Sequence, residues 1–211
     1  MLHFRDVERK FTPTRSRSHF HHPSLAAEVL DVARAALERD GASGLSLRAV
    51  AKSAGVYPTA ISHHYGDREG LLAAVATRGF VELNRALEEA RAPNAARSVR
   101  GMLKAYLSFA AAHPRLFVVM FSPWSAVERR HPQLDAAGGQ AFSLLRDQVA
   151  SWVFAEQAQV AVDIAADTLW CTVHGLATLL IEEHAGKRKR RFDADAILEL
   201  ALRSLSPAPG G

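Results

Sequence analysis

The chain has 211 residues, 48% hydrophobic and 23% charged, a balance able to bury a core. Its formal net charge of +4 permits an anionic partner without demanding one, no run of about 18 apolar residues predicts a membrane-crossing helix, and the opening MLHFRDVERK lacks the apolar stretch of a secretory signal. A lone cysteine, Cys171, excludes an intramolecular disulfide and a multi-cysteine zinc site, so a cytoplasmic location is expected.

Residues 1–22 carry Arg5, Arg9, Lys10, Arg15 and Arg17 and the cluster His19, Phe20, His21 and His22, with no period, and Pro13 and Pro23 punctuate them. They read as a basic, mostly disordered arm, a type of segment that can touch phosphates or the minor groove. Ser24 is a good N-cap, and Leu25, Val29, Ala33 and Leu37 then repeat every four residues, predicting a helix that Asp40 and Gly41 end. Ser46 caps a second helix over 46–53 with Leu47, Val50 and Ala51 inward. Gly55 suits the left-handed position after it, and Pro58 opens a third helix to about residue 64. Asp67 caps a fourth over 67–91, before Pro93. Further helices are predicted over 95–112, 114–121, 133–155, 160–185 and 193–205. No useful strand alternation and no repeat of about 20–50 residues is present, so the fold class is all-α.

The segment 45–72, LSLRAVAKSAGVYPTAISHHYGDREGLL, has the grammar of a helix-turn-helix, in which a second short helix is offered to the DNA major groove. Ala51, Gly55, Val56 and Ile61 meet the demands of the helix crossing, the turn and the inner face. The exposed set is then Arg48, Lys52, Tyr57, Pro58, Thr59, Ser62 and His63. Thr59 offers a hydroxyl and a methyl to base edges, and Arg48 can fork onto a guanine. Lys52, His64 and Arg68 suit phosphates, which position without reading sequence. Tyr65 reads as core, locking the third helix onto the first and fourth. Charge alone would not identify this region, since residues 1–75 hold ten Lys and Arg against eight Asp and Glu.

Over residues 24–75, the first helix ending at Gly41, SLRAVAKSAGV, the pair His64-Tyr65 and DREGLL together resemble the tetracycline-repressor-type (TetR-type) transcriptional regulators. The resemblance implies base contacts at Arg48, Thr59, Ser62 and His63 and phosphate contacts at His64 and Arg68. Two residues depart from the family pattern. Ser62 stands where a backbone-touching tyrosine is usual, and Tyr57 stands where a small capping residue is common.

Residues 95–205 hold most of the large apolar side chains. AYLSFAAAHPRLFVVMFSP and TLWCTVHGLATLLIEEH resemble the C-terminal domain of a TetR-type subgroup marked by tryptophan, histidine and glycine, matched here by Trp170, His174 and Gly175. Trp170 and His174, four residues apart, share a helix face. His174 is either a satisfied core histidine or a ligand contact in a pocket with Trp170, Phe117, Met120 and Phe121, to which Tyr106 and Trp124 are further candidates. No basic cluster inside this region would hold a phosphate or carboxylate, so an apolar or weakly polar effector is expected. The helices at 160–185 and 193–205 have more apolar residues than one buried stripe needs and are expected to form a homodimeric four-helix bundle. The run KRKRR at 187–191 reads as a solvated loop and SPAPGG as a tail.

The division expected is an arm at 1–22, a DNA-reading unit at 23–75, an effector and dimerisation unit at 76–205 and a tail at 206–211. No glycine-rich phosphate loop, nucleophile elbow or metal-ligand spacing points to an enzyme or a cofactor. His63 and His64 point about 100° apart on a helix and suit no shared metal. The function expected is a ligand-responsive repressor on palindromic operator DNA, the alternative being an activator or architectural DNA-binding protein without a small effector. No membrane partner is expected.

Overall fold

A computed structural model of the chain describes residues 23–122, 131–187 and 191–206. Among these every regular element is a helix: α1 (Pro23–Gly44), α2 (Leu47–Ser53), α3 (Pro58–Tyr65), α4 (Arg68–Glu89), α5 (Ala95–Ala112), α6 (Pro114–Met120), α7 (Pro132–Ala155), α8 (Val162–His184) and α9 (Ala194–Leu205). The arm read at 1–22, Trp124, residues 188–190 of the basic run and the tail beyond residue 206 fall outside the described residues.

Most ends obey local chemistry. The side chains of Ser46, Asp67, Asn94 and Asp193 accept the backbone N–H three residues on, satisfying a donor that the first turn cannot pair. Pro58, Pro114 and Pro132 open α3, α6 and α7, where a missing N–H costs nothing. Gly55 (φ 66°) and Gly66 (φ 78°) make the two left-handed turns that flank α3. The start of α1 differs from expectation: the helix already includes Pro23, so Ser24 lies inside it rather than capping it. Its end agrees with expectation: Gly41, at φ 76° and ψ 175°, is non-helical and breaks the helix, and a separate short turn follows to Gly44.

Helix α4 is the axis of the molecule. It packs on α1 and α3 at one end and on α5, α6 and α7 along its length, and eleven of its residues are buried. Arg34 pairs with Glu82, and Arg78 reaches both Asp31 (2.7 Å) and Glu82 (3.5 Å), binding α1 to α4 by charge as well as packing. Helices α5, α7 and α8 complete the larger core around Leu103, Tyr106, Leu145, Trp152, Leu169 and Val173. Arg100 forks onto Glu199 (2.5 and 2.9 Å) and ties α9 to α5.

No unbroken apolar run exists in α8 because Asp163, Asp167 and His174 interrupt it. By length and overall composition, however, this helix alone among the described ones is long and apolar enough to cross a membrane. Ala165, Ala166, Leu169, Val173, Leu176 and Ala177 turn its core side inward, while Ile164, Cys171, Gly175 and Thr178 form an exposed face.

Candidate DNA-reading face and effector cavity

The reading face is set by two short helices whose apolar residues all turn one way. Val50, Ala51 and Ile61 are buried, and Val56 N–H donates to Ala51 carbonyl (2.9 Å), closing the turn over Gly55. Arg48, Lys52, Tyr57, Pro58, Thr59, Ser62, His63, His64 and Arg68 are all exposed. The Tyr65 hydroxyl donates to the Ala26 carbonyl (3.2 Å), anchoring the end of α3 on α1. The Ser62 hydroxyl donates to Pro58 carbonyl (3.1 Å), so its proton is already engaged within the helix. Arg68 has structural work: its guanidinium donates to the carbonyls of Leu45 (2.9 Å) and Ala42, pinning the α1–α2 turn beneath the reading helices. His64 also lines, with Tyr65, Gly70, Arg78 and His131, a groove of about 450 Å³ between α1, α4 and the start of α7.

The second site lies in the larger core. Tyr106 on α5, Phe117 and Phe121 at α6, and Trp170 and His174 on α8 converge into one aromatic cluster. The rings of Tyr106 and Trp170 lie 5.5 Å apart, Phe117 and His174 5.6 Å, and Phe121 and His174 4.6 Å. The Tyr106 hydroxyl and His174 Nδ1 are 2.9 Å apart in a hydrogen bond. Burial pushes the Tyr106 hydroxyl well above the ordinary tyrosine range and pushes His174 below the ordinary imidazole value, which favours the neutral form of each. Met120 departs from the expected grouping: it is buried against α4, where a Cβ added to Gly79 would meet its Sδ at 2.7 Å.

Behind the cluster, a void of about 10 Å³ between Leu87, Met102, Leu103, Trp170 and Val173 has room for one water at most. In front of it a groove of about 310 Å³ opens between α6 and α8, lined by Phe117, Val118, Phe121, His174, Thr178, Ile181, Glu182, Ala185 and Lys187. Thr178, Ile181 and Glu182 escaped the sequence reading, although their spacing of four, seven and eight from His174 puts them on its face. Phe142 (5.5 Å from Trp170) and Phe80 of α4 (5.1 Å from Phe121) extend the cluster and carried no local signal.

Helix α6 joins the two sites. Phe117 and Phe121 wall the groove, Gly79 lets α6 approach α4 closely, and Glu38 of α1 accepts from Leu116 N–H (3.3 Å) while its own carbonyl accepts from Arg115 (3.0 Å). Among the described residues no group of three or more His, Cys, Asp or Glu is placed to hold a metal.

A helix-turn-helix continuous with a larger helical core defines the class: a helix-turn-helix DNA-binding regulator. Residues 29–75 match the family described as bacterial regulatory proteins, tetR family, and residues 99–205 match the tetracyclin repressor-like C-terminal domain. The chain belongs to the TetR family of transcriptional regulators. A protein with unknown function from Rhodococcus sp. RHA1 is 31% identical, with 90% of this chain and 100% of that one covered and a TM-score of 0.72. Two further structures share the fold at lower identity. A bacterial regulatory protein in the tetR family from Rhodococcus RHA1 is 20% identical (87% and 98% covered, TM-score 0.65). The transcriptional regulator FadR from Bacillus subtilis, in complex with stearoyl-CoA, is 16% identical (86% and 97% covered, TM-score 0.67). No curated protein matches the chain significantly.

Proposed function

We propose that this regulator is a cytoplasmic homodimeric repressor that leaves a palindromic operator when a small apolar or weakly polar effector binds beside His174. The observation that carries this reading is the double attachment of α6, whose Phe117 and Phe121 face the groove while its first turn is held by Glu38 of α1. An occupant that moves these rings displaces a helix already bound to the DNA-reading unit. The structure of FadR with stearoyl-CoA supports the broader point that this fold can hold an effector.

In this reading residues 23–75 read DNA and 76–205 bind the effector and pair the subunits. Arg48, Thr59, Ser62 and His63 meet bases, with Tyr57 and Pro58 at the tip of the recognition helix. Lys52 and His64 meet phosphates, and Arg68 acts on them only if it releases its two carbonyls. Dimerisation through α8 and α9 is supported by Ile164 and Leu200, which remain 60% and 62% exposed. Gly175 supports it as well: a Cβ there meets nothing within 4 Å, so its smallness serves no contact inside one chain. A dimer would set two recognition helices about 34–36 Å apart, one turn of DNA.

The test is selection of bound DNA by the purified protein, followed by titration of the selected operator with candidate effectors. A palindrome with half-sites one turn apart and release by effector are expected. An effector that binds stoichiometrically and leaves operator affinity unchanged overturns the mechanism, because the two affinities must shift by the same factor.

A further inference from the structure

Apart from Glu182 and Lys187 at its exposed rim, the groove between α6 and α8 has two polar side chains: Thr178, whose hydroxyl already donates to the His174 carbonyl (3.1 Å), and His174, whose hydrogen-bonding role follows from its neighbours. Tyr106 is only 2% exposed, and among the described residues its hydroxyl has one partner, His174 Nδ1. If Nδ1 carried the proton, the buried Tyr106 O–H would have no acceptor, a costly state in an apolar core. The hydroxyl therefore donates to Nδ1, and the ring proton sits on Nε2. Nε2 lies on the opposite edge of the imidazole. It has no hydrogen-bond partner among the described residues, and His174 itself lines the groove.

Phe117, Phe121 and Ile181 make the surrounding wall apolar, and the exposed rim has one charge of each sign, Glu182 and Lys187. An anion or a cation would lose water on entering and gain no net opposite charge. The volume of about 310 Å³ is at the small end for a ligand pocket and suits a body of about two fused rings. We infer that the effector is an uncharged molecule with a flat, ring-sized apolar body and a hydrogen-bond acceptor, such as a carbonyl oxygen, that receives the Nε2–H of His174. This rests on the effector reading above and narrows it from apolar or weakly polar to an acceptor-bearing neutral compound.

The test is calorimetric titration of the full chain with four probes that share one fused-ring body: naphthalene, 2-acetylnaphthalene, 2-naphthoate and 2-naphthylmethylammonium. The ketone is expected to bind roughly three- to tenfold more tightly than naphthalene, the worth of one net hydrogen bond, and the two ions more weakly than either. His174→Phe keeps a ring in place and should retain naphthalene while erasing the preference for the ketone. Tyr106→Phe releases the tautomer and should shrink that preference, with thermal melting confirming that each variant folds. Tightest binding by naphthoate or the ammonium ion, or an undiminished ketone preference in His174→Phe, overturns the inference and leaves the effector reading standing. Binding of none of the four probes removes the effector reading of this groove and the inference with it.

Discussion

His174 couples a local bond to a property of the whole fold. Burial lowers its pKa below the ordinary 6.5, so the folded chain binds fewer protons than the unfolded one between the two values. Its contribution to stability is complete above about pH 6.5 and falls as pH drops through that window to the folded-state pKa. Urea unfolding of wild type and His174→Phe at about pH 7.5 and 5.5 checks this, and the wild type should lose more stability on acidification. On the reading face, Arg48→Ala is expected to cost about 1–3 kcal/mol of operator affinity and relax base preference. Lys52→Ala should weaken binding to all sequences evenly and lower the salt slope by about one. Fluorescence anisotropy against selected and scrambled DNA across a salt series separates the two. Trp170 and His174 were readable as partners because one helical turn joins them. Tyr106, 68 residues from His174, could be nominated but not paired, and the carbonyls held by Arg68 depend on a turn that only the folded chain makes.

Helix boundaries were the most legible feature because the residues that set them act locally. Ser46, Asp67, Asn94 and Asp193 bond within three residues of themselves, and a proline needs no distant partner to begin a helix. Gly41 breaks the first helix in the same local way, at a φ of 76° that glycine adopts freely. The role of α6 was hidden because it depends on a distant partner, since Glu38 lies 78 residues before Leu116. Two variants probe this helix. Glu38→Ala should leave effector affinity nearly unchanged and reduce the coupling between effector and operator by about 0.5–2 kcal/mol, measured as operator affinity with and without effector. Gly79→Val places a branched side chain where a Cβ alone meets Met120 Sδ at 2.7 Å and Leu116 Cδ1 at 3.1 Å. Overpacking there should cost about 1–3 kcal/mol in urea unfolding.

At the scale of the molecule, the proposed dimer would cover the apolar surplus that α8 and α9 leave exposed at Ile164 and Leu200. Gly175→Leu should stabilise the single chain by about 1 kcal/mol, because leucine favours the helix interior where glycine does not. The same change should shift the dimer toward monomer in sedimentation velocity and weaken operator binding, since one subunit reads only one half-site. The all-α architecture was legible from periodicity alone, whereas the division at residue 75 falls inside α4 and corresponds to no break in the chain.

That continuity of α4 has a consequence for anyone building chimeric regulators. With one unbroken helix shared by both units, the angular phase of the reading head is geared to the effector core. Inserting a single residue into α4 would advance the head by about 1.5 Å and rotate it by about 100°, whereas four residues would return it to within about 40°. Reading heads exchanged between relatives should therefore be joined in helical register, and a junction that slips by one residue would aim an intact recognition helix away from its groove.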